Sequence, residues 1–380
     1  MGIEEEVTNS LLKLRSVGQS PWCDSISRSL INELPQRIAK DGLCGITSNP
    51  TIFEKAINGS LDYDKEIQSL AQAGMSTFGI YESLVVHDIQ KTADQFGKLF
   101  EKSNKIDGFV SLEVSPHLAH NTQKTIEEGR HLWRLVARPN LMIKVPATPA
   151  GIPAVTQLIS EGINVNVTLM FSINHYRQVA KAYMRGLESL DRTASFLPVA
   201  SVASFFVSRV DTVVDKLLCQ LKEQASTEIV KNTCEDLFGK AAIANTRLVY
   251  QEFKKIFSEK SFLNFKEKGF NVQRPLWAST STKNPNYRDV LYVEELIGEN
   301  TINTMPLDTM AAFRSHGRVT STLENGLEDA IRTLSLLKDL GIDLDAVTLK
   351  LQEDGVKLFL NSFDNLISSI AKKRKKITRI

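Results

Sequence analysis

Eight short apolar runs, each closed by polar or turn residues, recur along the chain at 19–24, 43–49, 108–115, 141–146, 163–170, 197–204, 274–280 and 301–305. Their length and bounding residues predict strands. Between them lie longer stretches, such as 80–100 and 207–222, whose apolar residues fall three and four apart as on one face of a helix. Strands alternating with helices predict a parallel sheet covered on both sides. Eight such units in one chain fit a single (β/α)8 TIM barrel, which commonly takes about 250 residues and grows by insertions. An open doubly wound sheet is disfavoured, because no Gly-x-Gly-x-x-Gly opens a helix and no Gly-x4-Gly-Lys-Ser/Thr loop is present. Helical patterns at 324–340 and 346–370 exceed the eight-helix minimum, which predicts extra C-terminal helices packed on the barrel surface or across its mouth.

Read by alternation, several strands have two unlike faces. In 163–170 the residues Ile163, Val165, Val167 and Leu169 suit the helix layer, leaving Asn164, Asn166 and Thr168 inside. The same reading of 108–115 sends Val110, Leu112 and Val114 outward and Ser111 and Glu113 inward. In 141–146 it turns Lys144 inward. Buried polar side chains need partners or a ligand, and these lie towards the C-terminal ends of three successive strands, where barrel active sites are built. Burial disfavours a charged amine, and a neutral lysine is a nucleophile suited to forming a Schiff base with a ketone. A purely structural ion pair between Lys144 and Glu113 is the competing reading, although burying ions is a poor route to stability. Asp24 likewise has a second reading, as the N-cap of the helix that follows.

The 380 residues carry 46 Lys and Arg against 44 Asp and Glu, a net charge of +2, with 42% apolar residues. Six of the basic groups fall in the last ten residues, and the rest, 40 basic and 44 acidic, has a net charge of −4. The body is therefore not a basic, nucleic-acid-like surface, and no nucleic acid is expected as a partner. The simplest division is one barrel domain, 1–371, followed by a solvated basic tail, 372–380, beyond the last helix. Cys23, Cys44, Cys219 and Cys234 are widely spaced, which predicts a reducing compartment. Cys23 falls on the outward alternation and is read as core packing. The six histidines show no metal-binding spacing, His117 and His120 read as surface, and no metal is expected. No run reaches the roughly eighteen apolar residues of a membrane span, and the acidic start is unlike a signal or transit peptide. The chain is expected to be cytoplasmic, or a mature plastid form from which a transit peptide has been removed; a homodimer is left open.

Two long motifs carry a family resemblance. Gly-Ile-Thr-Ser-Asn-Pro-Thr-Ile-Phe-Glu-Lys at 45–55 resembles the second-strand signature of transaldolases, and Asn-Leu-Met-Ile-Lys-Val-Pro-Ala-Thr at 140–148 resembles their Schiff-base lysine motif. Supporting similarity runs through 107–116, 164–172 and 201–211, while 274–285 and 303–306 resemble the longer bacterial and plant-type branch. The resemblance covers roughly 15–370. It implies that Lys144 attacks the C2 ketone of a ketose phosphate and that Asp24 takes the C4 hydroxyl proton. It also implies that Glu113 and Thr168 position a catalytic water, that Asn49 and Asn166 hold the dihydroxyacetone fragment, and that Ser204 and Arg209 bind phosphate. Lys283 and Ser279 are named as second phosphate contacts. From the residues alone, Arg209 could equally pair with Asp211.

Delocalisation of the carbanion into an iminium needs neither metal nor organic cofactor, so none is expected. The implied activity is transfer of a dihydroxyacetone unit from sedoheptulose 7-phosphate or fructose 6-phosphate to glyceraldehyde 3-phosphate or erythrose 4-phosphate, in the pentose phosphate pathway. The alternatives are a Schiff-base fructose 6-phosphate aldolase that releases free dihydroxyacetone, and a non-catalytic barrel that binds nucleic acid or an acidic partner through its basic tail.

Overall fold

The computed structural model describes residues 9–191 and 199–377. Eight parallel strands close into a barrel in chain order: β1 (Gln19–Cys23), β2 (Gly45–Thr47), β3 (Phe109–Glu113), β4 (Leu141–Pro146), β5 (Val165–Met170), β6 (Ser201–Phe206), β7 (Arg274–Ala278) and β8 (Thr301–Met305). The seam is β1 against β8, with Gln19 opposite Thr301 and Cys23 opposite Met305. Each of the eight expected strands is present. The sixth lies later than its apolar run suggested, ending at Phe206, and positions 197 and 198 of that run fall outside the described residues. Outward residues such as Val110, Ile143, Val165 and Val167 are completely buried under the helix layer, as the alternation predicts.

The two ends of the barrel are built differently. At the N-terminal end Arg274 is buried and its guanidinium donates to four acceptors: Asp107 Oδ1 at 3.0 Å, the carbonyls of Ile106 at 3.2 Å and Thr301 at 2.9 Å, and Ser20 Oγ at 2.5 Å. Asn164 belongs to this end. Its amide donates to the carbonyls of Pro139 and Leu141, so its inward polarity serves the fold, not a ligand. Asn140 similarly bonds the carbonyls of Ala93 and Gly108. Among the described residues, the side-chain oxygens of Gln19 and Gln273 are buried there without partners.

The helices start where the sequence supplies caps. Ser27 caps Arg28–Lys40 and Asn49 caps Pro50–Gly59, whose first residue is a proline that has no N–H to satisfy. Asp24 is therefore not the cap of the helix after β1. The expected helices at 324–340 and 346–370 are Leu327–Asp339 and Leu344–Ile377. The latter crosses the C-terminal mouth of the barrel. Gln352, Val356, Phe359, Phe363, Leu366 and Ile370 are buried on one face of it, at the three- and four-residue spacing of a helix stripe. Its length corrects the expectation of a tail beyond the last helix: Lys372 through Lys376 are helical, and Lys373 Nζ donates to the Ile57 carbonyl at 3.1 Å and to Asp64 at 2.6 Å. Lys and Arg are good helix formers, and positive charge near a helix C-terminus opposes the negative end of its dipole.

Candidate active site

Strand register places Lys144. It lies opposite Glu113 of β3 on one side and Asn166 of β5 on the other, with Pro146 opposite Thr168 one step further along. Lys144 is 3% exposed. Its amine donates to the Ser48 carbonyl at 3.0 Å and stands 3.4 Å from Glu113 Oε2. On its other side the ring of Phe359, from the mouth-crossing helix, is centred 5.9 Å away.

The polar atoms around this amine are incompletely satisfied. Glu113 Oε2, 3.4 Å from the Lys144 amine, makes no closer hydrogen bond, and Thr168 Oγ1 is buried without a hydrogen-bond partner. Burial pushes the Glu113 carboxyl up to about 7, against the opposing pull of Lys144 and with a further push from Asp24. Asn166 is held on both ends, donating to Ser111 Oγ at 3.0 Å and accepting from Ser204 Oγ at 2.6 Å. Beyond Thr168 the strand leaves regular register: pairing with β6 shifts between Val167 and Met170, and Leu169 adopts φ +60°, which is costly for a residue with a branched side chain.

Across the mouth, Asp24 follows β1 directly, and its Oδ1 accepts from Thr47 Oγ1 at 2.7 Å. Thr47 in turn lies 2.7 Å from Thr304 Oγ1 on β8. Burial raises the Asp24 carboxyl above its ordinary value, while Lys144 and the Thr47 hydrogen bond pull the other way. A cavity of about 260 Å³ is lined by Asp24, Asn49, Lys144, Thr168, Ser204 and Arg209, six of the eight expected site residues. Glu113 and Asn166 stand directly behind Lys144. Asn49 spends its oxygen on the cap of its helix, accepting from Ile52 N at 3.0 Å. A larger cavity, about 600 Å³, opens between Ser172–Arg177 and Gly341–Asp345 and holds none of these residues.

The outer wall of the smaller cavity is cationic. Arg209 stacks over Phe206, with its guanidinium carbon 5.2 Å from the ring centre, and forms no ion pair with a described residue. The alternative partner, Asp211, is occupied elsewhere: it accepts from Tyr292 Oη at 2.8 Å and from Ala242 N at 2.7 Å. Lys283 lines the same wall, and burial together with Arg209 and Lys55 lowers its pKa. Ser279 also lines it, in a left-handed conformation with φ +55°. Arg209, Lys283 and Lys55 set three cations against the single nearby carboxylate of Asp24 in one small cavity, a surplus of positive charge that suits an anion, and a guanidinium suits phosphate through its paired donors.

Sequence reasoning missed Lys55, Thr47 and Phe359. Lys55 and Thr47 lie inside the quoted 45–55 motif, and the period-two pattern of β2 already turns Thr47 to the same face as Gly45. Phe359 depends on how the last helix crosses the barrel, which no local pattern encodes. Cys23 is fully buried and burial pushes its thiol up to about 12, as suits core packing. His117 and His120 are exposed. Among the described residues no three potential metal ligands come together, and no helix is long and apolar enough to cross a membrane.

Comparison with known proteins matches residues 21–370 to the family model described as Transaldolase/Fructose-6-phosphate aldolase. A protein of Trichodesmium erythraeum named Transaldolase is 45% identical over 379 residues, covering 98% of this chain and 100% of the relative. One from a Nostoc species, named Transaldolase 2, is 44% identical over 378 residues, 98% of this chain and 99% of the relative. A Transaldolase of Thiobacillus denitrificans is 44% identical over 357 residues, 93% and 97% of the two chains.

Proposed function

The chain belongs to the transaldolase/fructose-6-phosphate aldolase family and acts as a transaldolase, and from that we infer that it transfers a dihydroxyacetone unit between sugar phosphates through a Schiff base on Lys144. The observation that carries this reading is the environment of that amine: buried, in a long 3.4 Å contact with Glu113, beside an unpartnered Thr168 hydroxyl, and open to a small cavity with a cationic outer wall. A purely structural ion pair would be tied into a close hydrogen-bond network, as the Arg274–Asp107 pair at the other end of the barrel is.

In this reading the ketose phosphate enters with its phosphate against Arg209 and Ser204, with Lys283 and Ser279 as second contacts, and its C2 ketone at Lys144. The amine attacks C2, and the carbinolamine loses water as a proton passes between Glu113, Thr168 and a water held by them. Asp24 accepts the C4 hydroxyl proton. The C3–C4 bond breaks, its electron pair moves into the iminium, and an aldose phosphate leaves. Asn166 donates to the hydroxyls of the retained three-carbon unit, and Asn49 offers its amide, its oxygen being committed to the helix cap. An incoming aldose phosphate then reverses the sequence. Donors are sedoheptulose 7-phosphate or fructose 6-phosphate, acceptors glyceraldehyde 3-phosphate or erythrose 4-phosphate. Four free thiols, three of them buried, suit a cytoplasmic setting.

Borohydride reduction in the presence of fructose 6-phosphate is the direct test. A covalent adduct mapped to Lys144 by mass spectrometry is expected; its absence would overturn the mechanism.

A further inference from the structure

The mouth-crossing helix Leu344–Ile377 is pinned to the strands that carry the chemistry. Gln352, 4% exposed, donates through Nε2 to the carbonyls of Ala147 at 3.0 Å and Leu169 at 2.9 Å, at the tops of β4 and β5. Gly355 lies against the Leu169 side chain so closely that a Cβ there would come within 2.9 Å of it. Ser362 Oγ lies 2.8 Å from Thr51 Oγ1, on the helix after β2. Phe359, two helical turns beyond Gln352, is held between these anchors. It is 3% exposed, and its ring, 5.9 Å from the Lys144 amine, and Leu358 bring the helix into the cavity wall, whose other apolar residues are Ile52, Phe206, Ala278 and Pro306.

That placement bears on what happens after cleavage. The retained three-carbon unit is an enamine whose nucleophilic carbon lies two bonds beyond the lysine nitrogen, in the space bounded by the Phe359 ring. Two reactions compete for it. The carbon attacks the carbonyl of an aldose phosphate, forming a C–C bond. Alternatively it takes a proton from water, forming a C–H bond; a second water then hydrolyses the iminium, and free dihydroxyacetone leaves with the lysine amine restored. The first is transfer and the second is aldolase-type release.

We propose that Phe359 is a specificity-determining residue that excludes water from the enamine, so that transfer outruns release of free dihydroxyacetone. The polar groups near the nitrogen, Glu113 and the Ser48 carbonyl, lie on its strand side, whereas the helix side is hydrocarbon. An apolar wall that excludes water suppresses side reactions of a bound reactive intermediate. The acceptor aldose carries its own phosphate to the cationic wall, so it enters by affinity where bulk water has none.

This inference rests on the Lys144 Schiff base. The experiment measures dihydroxyacetone release without an acceptor and transfer with one, in the unaltered protein and in Phe359→Ala and Phe359→Leu, alongside borohydride trapping. The ratio of release to transfer is expected to rise about tenfold in Phe359→Ala and by less in Phe359→Leu, with trapping on Lys144 retained. In D2O the released ketone should carry deuterium at the protonated carbon. A purely structural role would lower release, transfer and trapping together and leave the ratio unchanged, which would overturn the proposal. Should Phe359→Ala fail to fold, Phe359→Leu decides, and an unchanged ratio in it is equally fatal. Loss of the adduct in the unaltered protein would instead remove the Schiff base on which the wall acts.

Discussion

The barrel holds a buried ion pair at each end, and the two are opposites. Arg274 and Asp107 sit in a saturated network, where the guanidinium meets four acceptors. Lys144 and Glu113 stand 3.4 Å apart through Glu113 Oε2, which makes no closer hydrogen bond, and the neighbouring Thr168 hydroxyl is unpartnered. Buried polar groups that stabilise a fold are satisfied; those left wanting are held by the surrounding structure at a cost and are available to a ligand. One pair closes the bottom of the barrel, and the other waits at its top.

The largest effect should come from Lys144→Met. Turnover is expected to fall about 10⁴-fold or more, near 5.5 kcal/mol of lost transition-state stabilisation, with no borohydride adduct. The melting temperature should hold within a few degrees, because Glu113, already pushed up to about 7, can protonate when its cation goes. A collapse of the fold would make the top pair structural after all. Next is Arg274→Met at the bottom, where removing one partner strands Asp107. Urea unfolding should report a loss of about 3–5 kcal/mol, with kcat of the folded fraction nearly unchanged; a selective loss of kcat would erase the contrast between the ends.

Glu113→Gln should lower kcat about 10²-fold and remove the acidic limb of the rate profile near pH 7, a limb that belongs jointly to the coupled carboxyls of Glu113 and Asp24. Because the folded carboxyl holds its proton more tightly than the ordinary value of 4.5, its contribution to stability is full below that value and is lost as pH rises through about 7. Unfolding of the Gln variant at pH 5 and pH 8 should therefore differ less than that of the parent; an unchanged difference would assign the slope to another group. The smallest effect is removal of 372–380, which should lower the isoelectric point, leave kcat within about twofold and cost about 1 kcal/mol or less through the Lys373 contacts. A large loss of activity would show that the helix end braces the site.

The barrel was legible because period-two alternation and strand count survive in the sequence, and inward Lys144 followed from its apolar neighbours Ile143 and Val145. Asn164 shows the limit of that reading. Alternation puts it on the same face as Asn166, but only the axial position along the strand separates a residue that ties up backbone at the bottom from one beside the lysine. The second use of Asn49 as a helix cap was written in the Asn-Pro pair but not weighed. The helical nature of the basic C-terminus was also legible from composition. Phe359 was not, because its position over Lys144 is set by tertiary docking through Gln352 rather than by any neighbour in sequence.

The β1–β8 seam has a consequence for how the molecule assembles. Gln19 and Thr301, which share a hydrogen bond across it, are 282 positions apart, so barrel closure waits for one of the most distant pairings in the chain, a slow kind of contact to form. The helix that shelters Lys144 is synthesised later still. Until that helix docks, Lys144 lacks the Phe359 ring that covers its amine in the folded protein.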